Sequence, residues 1–146
     1  MNEHSGKVAV ITGGARGFGR GFAEALAARG ARVVLADLDG EEAARAAAAI
    51  GDLAEALALD VADEPAVAAA MADVARRHGG IDILINNAGI HSAAAAQPIG
   101  VLGLERSRQM FEVNVWGVIQ CTLAAEPIKA ERQRKAKDKI STMTSK

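Results

Sequence analysis

The sequence has no tyrosine, one cysteine and one tryptophan among 146 residues, and aromatics make up only 3% of it. The lone thiol, Cys121, excludes a disulfide framework and a cysteine-rich metal site, and it suits a reducing cytoplasm. His4, His78 and His91 show no ligand spacing, so no metal site is expected. No apolar run nears the roughly 20 residues that a membrane span needs, and residues 1–5 do not read as a signal peptide. No membrane partner is therefore expected.

What is present is a globular composition. Half of the residues are hydrophobic and 24% are charged, which excludes wholesale disorder and supports one domain with a real core. The formal net charge of −1 hides an asymmetry. Residues 1–125 carry 10 Lys/Arg against 15 Asp/Glu, whereas residues 126–146 carry seven against three. The basic tail lacks interleaved aromatics, so a solvated charged helix is expected there and no nucleic-acid partner.

Along the chain, short β-branched runs alternate with alanine-rich helical segments. Residues 7–12 read as a buried strand that stops at glycine. Phe18, Phe22 and Leu26 fall at helical spacing over about 17–29. A second strand over 32–37 and a second helix over 40–50 follow, the latter closed by Gly51. Residues 54–59 give a weaker third strand. Asp63-Glu64-Pro65 opens a helix to His78, with proline in the first turn and acids at the positive end of the dipole. After Gly79-Gly80, residues 81–86 form a fourth strand, 91–100 a polar loop, and 104–125 a long helix ended by Glu126-Pro127. Strands joined by helices run parallel with right-handed crossovers, so the expected fold is one α/β sheet covered on both faces. Cys121 and Trp116 are expected as packing residues of the long helix.

Strand ends carry the candidate chemistry. The first runs into Thr12-Gly13-Gly14-Ala15-Arg16-Gly17-Phe18-Gly19. Strand, glycine-rich turn and helix start in that order make a phosphate cradle, because glycine lets backbone N–H groups approach a pyrophosphate at the helix N-terminus. The glycines stand as G-x-x-x-G-x-G rather than the G-x-G-x-x-G of many dinucleotide sites, and alone would equally suit a plain strand-to-helix turn. Asp37 ends the second strand, where an acid can accept from both ribose hydroxyls and repel a 2′-phosphate, or simply cap the next helix. With the glycine turn it favours NAD over NADP. Arg16 points slightly the other way, since a cation in that turn can meet a 2′-phosphate.

Together with Asp60-Val61 after the third strand and Asn86-Asn87-Ala88-Gly89 after the fourth, these residues resemble the short-chain dehydrogenase/reductase family. The stretch Phe111-Glu112-Val113-Asn114-Val115-Trp116-Gly117-Val118 is similar to that family's next signature. The resemblance covers roughly residues 5–125 and implies a Rossmann-like three-layer NAD-binding domain. The basic tail at 126–146 is expected to be unlike the family. Gly13, Arg16, Gly17, Phe18 and Gly19 would line the pyrophosphate and nicotinamide side. Asp37 and Leu38 would hold the adenosine ribose, Asp60 and Val61 the adenine. Asn87, Ala88 and Gly89 would line the cofactor pocket, Asn87 also bridging strand ends.

The family's proton chemistry rests on a Tyr-x-x-x-Lys pair preceded by a serine after the fifth strand. The tyrosine pKa, ordinarily near 10, is lowered there by the lysine and the cationic nicotinamide. This sequence has no tyrosine, and Asn114 is the one member of the catalytic set that can be placed. Residues 140–145 fall about where the serine's strand would lie, but are too polar for a central strand. A solvated end is the expectation for Ser141 and Ser145. The chain is thus expected to stop after the family's fourth strand, or its fifth if 140–145 forms one, and to bind NAD without catalysis. An alternative is a non-catalytic nucleotide-binding or subunit-interaction module. In the family the helix corresponding to 104–125 packs at a subunit interface, which implies a homo-oligomer.

Overall fold

A computed structural model describes residues 2–91 and 99–144. Four parallel strands, β1 (Val8–Thr12), β2 (Arg32–Asp37), β3 (Ala54–Ala58) and β4 (Ile83–Asn86), make one sheet in the order β3-β2-β1-β4. The register aligns Thr12 with Ala36 and with Asn86, so the carboxyl ends of β1, β2 and β4 finish level. Between them run α1 (Gly17–Ala27), α2 (Gly40–Ile50) and α3 (Glu64–His78). Beyond β4 come α4 (Ile99–Phe111), a π-helical turn (Glu112–Trp116) and α5 (Gly117–Thr144). The architecture is Rossmann-like.

Strand alternation divides the core. Val8 and Val10 of β1 and Val34 and Ala36 of β2 face Val67, Met71 and Val74 of α3 and Cys121 and Ala125 of α5. Ala9, Ile11, Val33 and Leu35 face Ala23 and Ala27 of α1 and Ala43 and Ala46 of α2. This is the period-2 pattern of a sheet buried on both faces. Burial pushes the Cys121 thiol pKa up to about 11, which leaves it protonated and inert.

The helix starts follow local chemistry. Asp39 and Asp63 cap α2 and α3 by accepting from the backbone N–H groups of Glu42 and Ala66, both at 3.0 Å. Gly79, at φ 75°, closes α3 in the left-handed conformation that glycine adopts without strain.

The expectations for Trp116 and Pro127 are corrected, and the helices are otherwise refined. Helix α1 forms as expected; its buried face is Gly19, Ala23 and Ala27, while Phe18 is 84% exposed and Phe22 is also exposed. Small residues lie inward because the helix sits close on the sheet. The long helix runs on from Leu104 as expected: the non-helical Gly103, at φ 75°, separates it from the short turn at 99–102, and it contains the π-turn. Trp116 in that turn is exposed rather than packed. Pro127 does not end the helix: α5 runs through it to Thr144.

Proline costs one backbone bond, but packing on both sides of it holds the line. Ala125 is fully buried, Ile128 packs on the core, and Arg132 is fastened to the sheet's amino end. Arg132 Nε lies 3.0 Å from Asp82 Oδ2, and its NH2 donates to the Gly6 carbonyl at 2.7 Å. The expected boundary at 125/126 therefore falls inside a continuous helix. Ser141 lies on that helix, not at a strand end, and the sheet has four strands among the described residues. Ser145 and most of the expected polar loop at 91–100 lie outside the described residues. No helix among the described residues is long and apolar enough to cross a membrane.

Candidate functional site

The glycine turn between β1 and α1 is held from three sides. Gly14 N donates to the Ala36 carbonyl of β2 at 3.2 Å, and Ala15 N donates to Asp37 Oδ2 at 3.0 Å. Asn87, just past β4, donates from Nδ2 to the carbonyls of Thr12 at 3.2 Å and Gly13 at 3.0 Å. Asn87 thus bridges the ends of β1 and β4. Thr12 completes the tie from below: its fully buried hydroxyl accepts from the backbone N–H of Asn87 at 3.1 Å and of Ala88 at 3.0 Å.

Glycine is required at two positions. A Cβ on Gly13, at φ +64°, would lie 2.9 Å from both Ala88 Cα and Asn87 Nδ2. A Cβ on Gly19 would run into the Gly13 carbonyl and Asn87 Nδ2. Only without side chains can α1 begin this close to the strand ends, so its first N–H groups point into open space above the sheet.

That space is a groove of about 650 Å³, within the roughly 300–1,000 Å³ range of small-molecule sites. Its lining includes Gly13, Arg16, Gly17, Phe18, Asp37, Leu38, Asp60, Val61, Asn87, Ala88 and Gly89. The structure therefore gathers these predicted residues from four separate segments around one concavity. Gly19 lies beneath it, buried, as part of the cradle floor. Val113, from the signature stretch 111–118, also lines it, as do Leu59, Ile90 and His91, which no motif marked. The signal of these three in the sequence is adjacency alone, since each lies within two residues of a marked position.

The acid at the end of β2 is oriented by the backbone. Asp37 accepts from Ala15 N through Oδ2 and from Asp39 N through Oδ1, each at 3.0 Å. An ionised carboxylate has about four acceptor sites, so both oxygens keep capacity toward the groove. Arg16, the cation of the turn, is engaged across the mouth. Its NH2 lies 2.5 Å from Asp39 Oδ2 and 3.9 Å from Glu42 Oε2. The Glu42 N–H and the Arg16 guanidinium hold the Asp39 carboxyl below its ordinary pKa. Leu38, 76% exposed, and Phe18 present apolar faces at the rim.

On the far side, Asn114 does not line the groove but braces its wall. Its Nδ2 donates to the Ile90 carbonyl and its Oδ1 accepts from Ile90 N, both at 2.8 Å. Asn114 sits within the π-turn, and its amide meets the chain four residues past β4. Gly89 packs against this amide closely: a Cβ there would lie 3.3 Å from Asn114 Oδ1, a tight contact. Farther along, Gln120 Nε2 donates to the Val61 carbonyl at 3.0 Å, tying the adenine-side candidate Val61 to α5.

The family model described as short chain dehydrogenase matches residues 7–145 of this chain. A galactitol 2-dehydrogenase of Agrobacterium fabrum is 44% identical over 131 residues, 90% of this chain and 50% of that protein. A sorbitol dehydrogenase of Cereibacter sphaeroides is 46% identical over 114 residues, 78% of this chain and 43% of that protein. Among solved structures, a 3-ketoacyl-(acyl-carrier-protein) reductase from Brucella melitensis, complexed with NADH, superposes with a TM-score of 0.85. It is 40% identical, and the match covers 92% of this chain and 55% of that one. The chain thus spans about half the length of the relatives it matches.

Proposed function

Since this chain belongs to the short-chain dehydrogenase family, we propose that its groove binds NAD(H), and that it supplies the cofactor-binding half of an oxidoreductase acting between secondary alcohols and ketones. The observation that carries this reading is the cradle formed by Gly13, Gly17 and Gly19 beside Asp37. Its open N–H groups and helix N-terminus suit a pyrophosphate, and a Cβ at Gly13 or Gly19 would close it. Asp37 accepts from the adenosine ribose hydroxyls and disfavours a 2′-phosphate there, so NAD is preferred to NADP. Leu38 stands with Asp37 at the adenosine ribose, Asp60 and Val61 flank the adenine, Phe18 lies on the pyrophosphate and nicotinamide side, and Asn87, Ala88 and Gly89 line the cofactor pocket. Bound, the nicotinamide supplies the hydride donor or acceptor. NADH in the similar reductase and the dehydrogenase names of the similar proteins support the assignment.

We propose equally that the chain alone does not turn over alcohols. It has no tyrosine to move the substrate proton, and Asn114 is the sole member of the family's catalytic set that can be assigned. The lone buried thiol suits a cytoplasmic setting. Titration of the 146-residue chain with NADH should saturate, whereas Gly19→Val should weaken binding about tenfold or more by pushing on the turn. Absence of saturable binding overturns the nucleotide reading. Steady NAD reduction across a panel of secondary alcohols overturns the inactivity.

A second reading has its own observation. Phe111, Val115, Trp116, Ile119 and Leu123 all lie exposed along the π-turn and its flanking helices. An apolar row of that length suits association with another copy of the chain. Sedimentation velocity should show a dimer or larger species; a monodisperse monomer overturns this.

A further inference from the structure

Arg16 is the only Lys or Arg among the described residues that line the groove. It stands at the ribose end with Asp37 and Leu38, where a dinucleotide carrying a 2′-phosphate would need a cation. The structure shows that this cation is already taken. Asp39 Oδ2 lies 2.5 Å from Arg16 NH2, and Glu42 Oε2 lies 3.9 Å away. Asp39 is itself fixed, because its other oxygen caps α2 by accepting from Glu42 N at 3.0 Å. Glu42 is in turn bound to Arg45, at 2.5 Å.

We propose that Asp39 is a second determinant of dinucleotide selectivity, acting by holding Arg16 in an ion pair and so withholding it from a 2′-phosphate. The inference rests on the NAD-binding reading above. Asp37 excludes the phosphate directly, by its own charge and its demand for hydroxyl donors. Asp39 acts through Arg16 and is a positioning residue. Its two tasks, capping and pairing, separate cleanly, because asparagine and serine cap a helix about as well as aspartate but carry no charge.

The test is equilibrium binding of NADH and NADPH to the intact chain, followed by nicotinamide fluorescence. In Asp39→Asn the ratio Kd(NADPH)/Kd(NADH) should fall about two- to fivefold, the worth of the exposed ion pair that no longer holds Arg16. Asp39→Ser should do the same, with circular dichroism confirming that α2 persists. Adding Arg16→Met to Asp39→Asn should restore the wild-type ratio, since the released cation is then gone. An unchanged ratio in both Asp39 variants overturns the proposal while leaving the NAD reading intact. So does a fall that survives Arg16→Met. Wild-type protein that binds neither dinucleotide overturns the NAD reading itself, and the inference with it.

Discussion

Replacing Arg132 by methionine tests whether the basic tail is part of the domain. The substitution keeps an apolar stem over Gly80, whose backbone approaches the Arg132 side chain closely. It removes the guanidinium from Asp82 at 3.0 Å, from the His78 carbonyl at 3.2 Å and from the Gly6 carbonyl at 2.7 Å. With side-chain exposures of 22% for Arg132 and 12% for Asp82, the pair lies between two regimes. Exposed pairs contribute about 0.2–1 kcal/mol, whereas breaking a fully buried one costs about 3–5 kcal/mol. Asp82 would keep the Val8 N–H at 2.8 Å and the Lys7 ammonium at 3.4 Å, so its charge would not be stranded.

The expected loss is therefore about 2 kcal/mol, a sizeable part of the roughly 5–15 kcal/mol that stabilises a typical domain. In urea, with a slope of about 2 kcal/mol/M, the midpoint should fall by about 1 M. A double-mutant cycle with Asp82→Asn should return a coupling of about 1–2 kcal/mol, consistent with residues in direct contact. It should persist at high salt, because the pair is mostly shielded from the solvent. Hydrogen exchange should accelerate first in α5 beyond Pro127. A destabilisation below about 0.5 kcal/mol would refute the reasoning, because the apolar contacts of Ala125 and Ile128 would then suffice to hold the helix.

Two further predictions concern polar groups of the sheet, one buried and one half-buried. Thr12→Val keeps the shape but leaves the N–H groups of Asn87 and Ala88 without their acceptor, and should cost about 2–3 kcal/mol by thermal unfolding; a loss under about 0.5 kcal/mol would refute the tie. Glu55, despite a burial that alone would raise its pKa, is held below the ordinary 4.5 by bonds from His78 and Arg77. A depressed folded-state pKa gives stability that is present above the unfolded value and lost as pH falls through the folded one. Glu55→Gln should therefore flatten the stability–pH curve below about pH 4.5, and identical slopes in the two proteins would refute the assignment.

How much of this was legible in the sequence depends on how far apart the cooperating residues lie. The β1 and β2 runs announce themselves through β-branched residues bounded by glycine, and the glycine turn and Asp37 follow directly at strand ends. There, local pattern and the candidate site coincide, because a parallel sheet presents the carboxyl ends of its strands on one side. The orientation of α1 was less accessible. Large apolar residues at helical spacing normally mark the buried face, but this helix must approach the sheet so closely that Gly19, Ala23 and Ala27 take that face. Phe18 is left to the groove instead.

Pro127 misled for the opposite reason: a strong local signal was overruled by packing from Ala125, Ile128 and Arg132. The least legible features are the ionic ones. Arg16 meets Asp39 23 positions away, and Arg132 meets Gly6 across 126. In sequence each arginine is one charge among many, and the tail's excess of lysine and arginine reads as a solvated surface. Only the fold distinguishes Arg134, bound to Glu131 one turn away, from Arg132, which reaches back to the start of the sheet. Charge counts therefore located the basic segment, while which of its charges carries structure was decided by the parallel topology, which brings the amino ends of β1 and β4 together beneath α5.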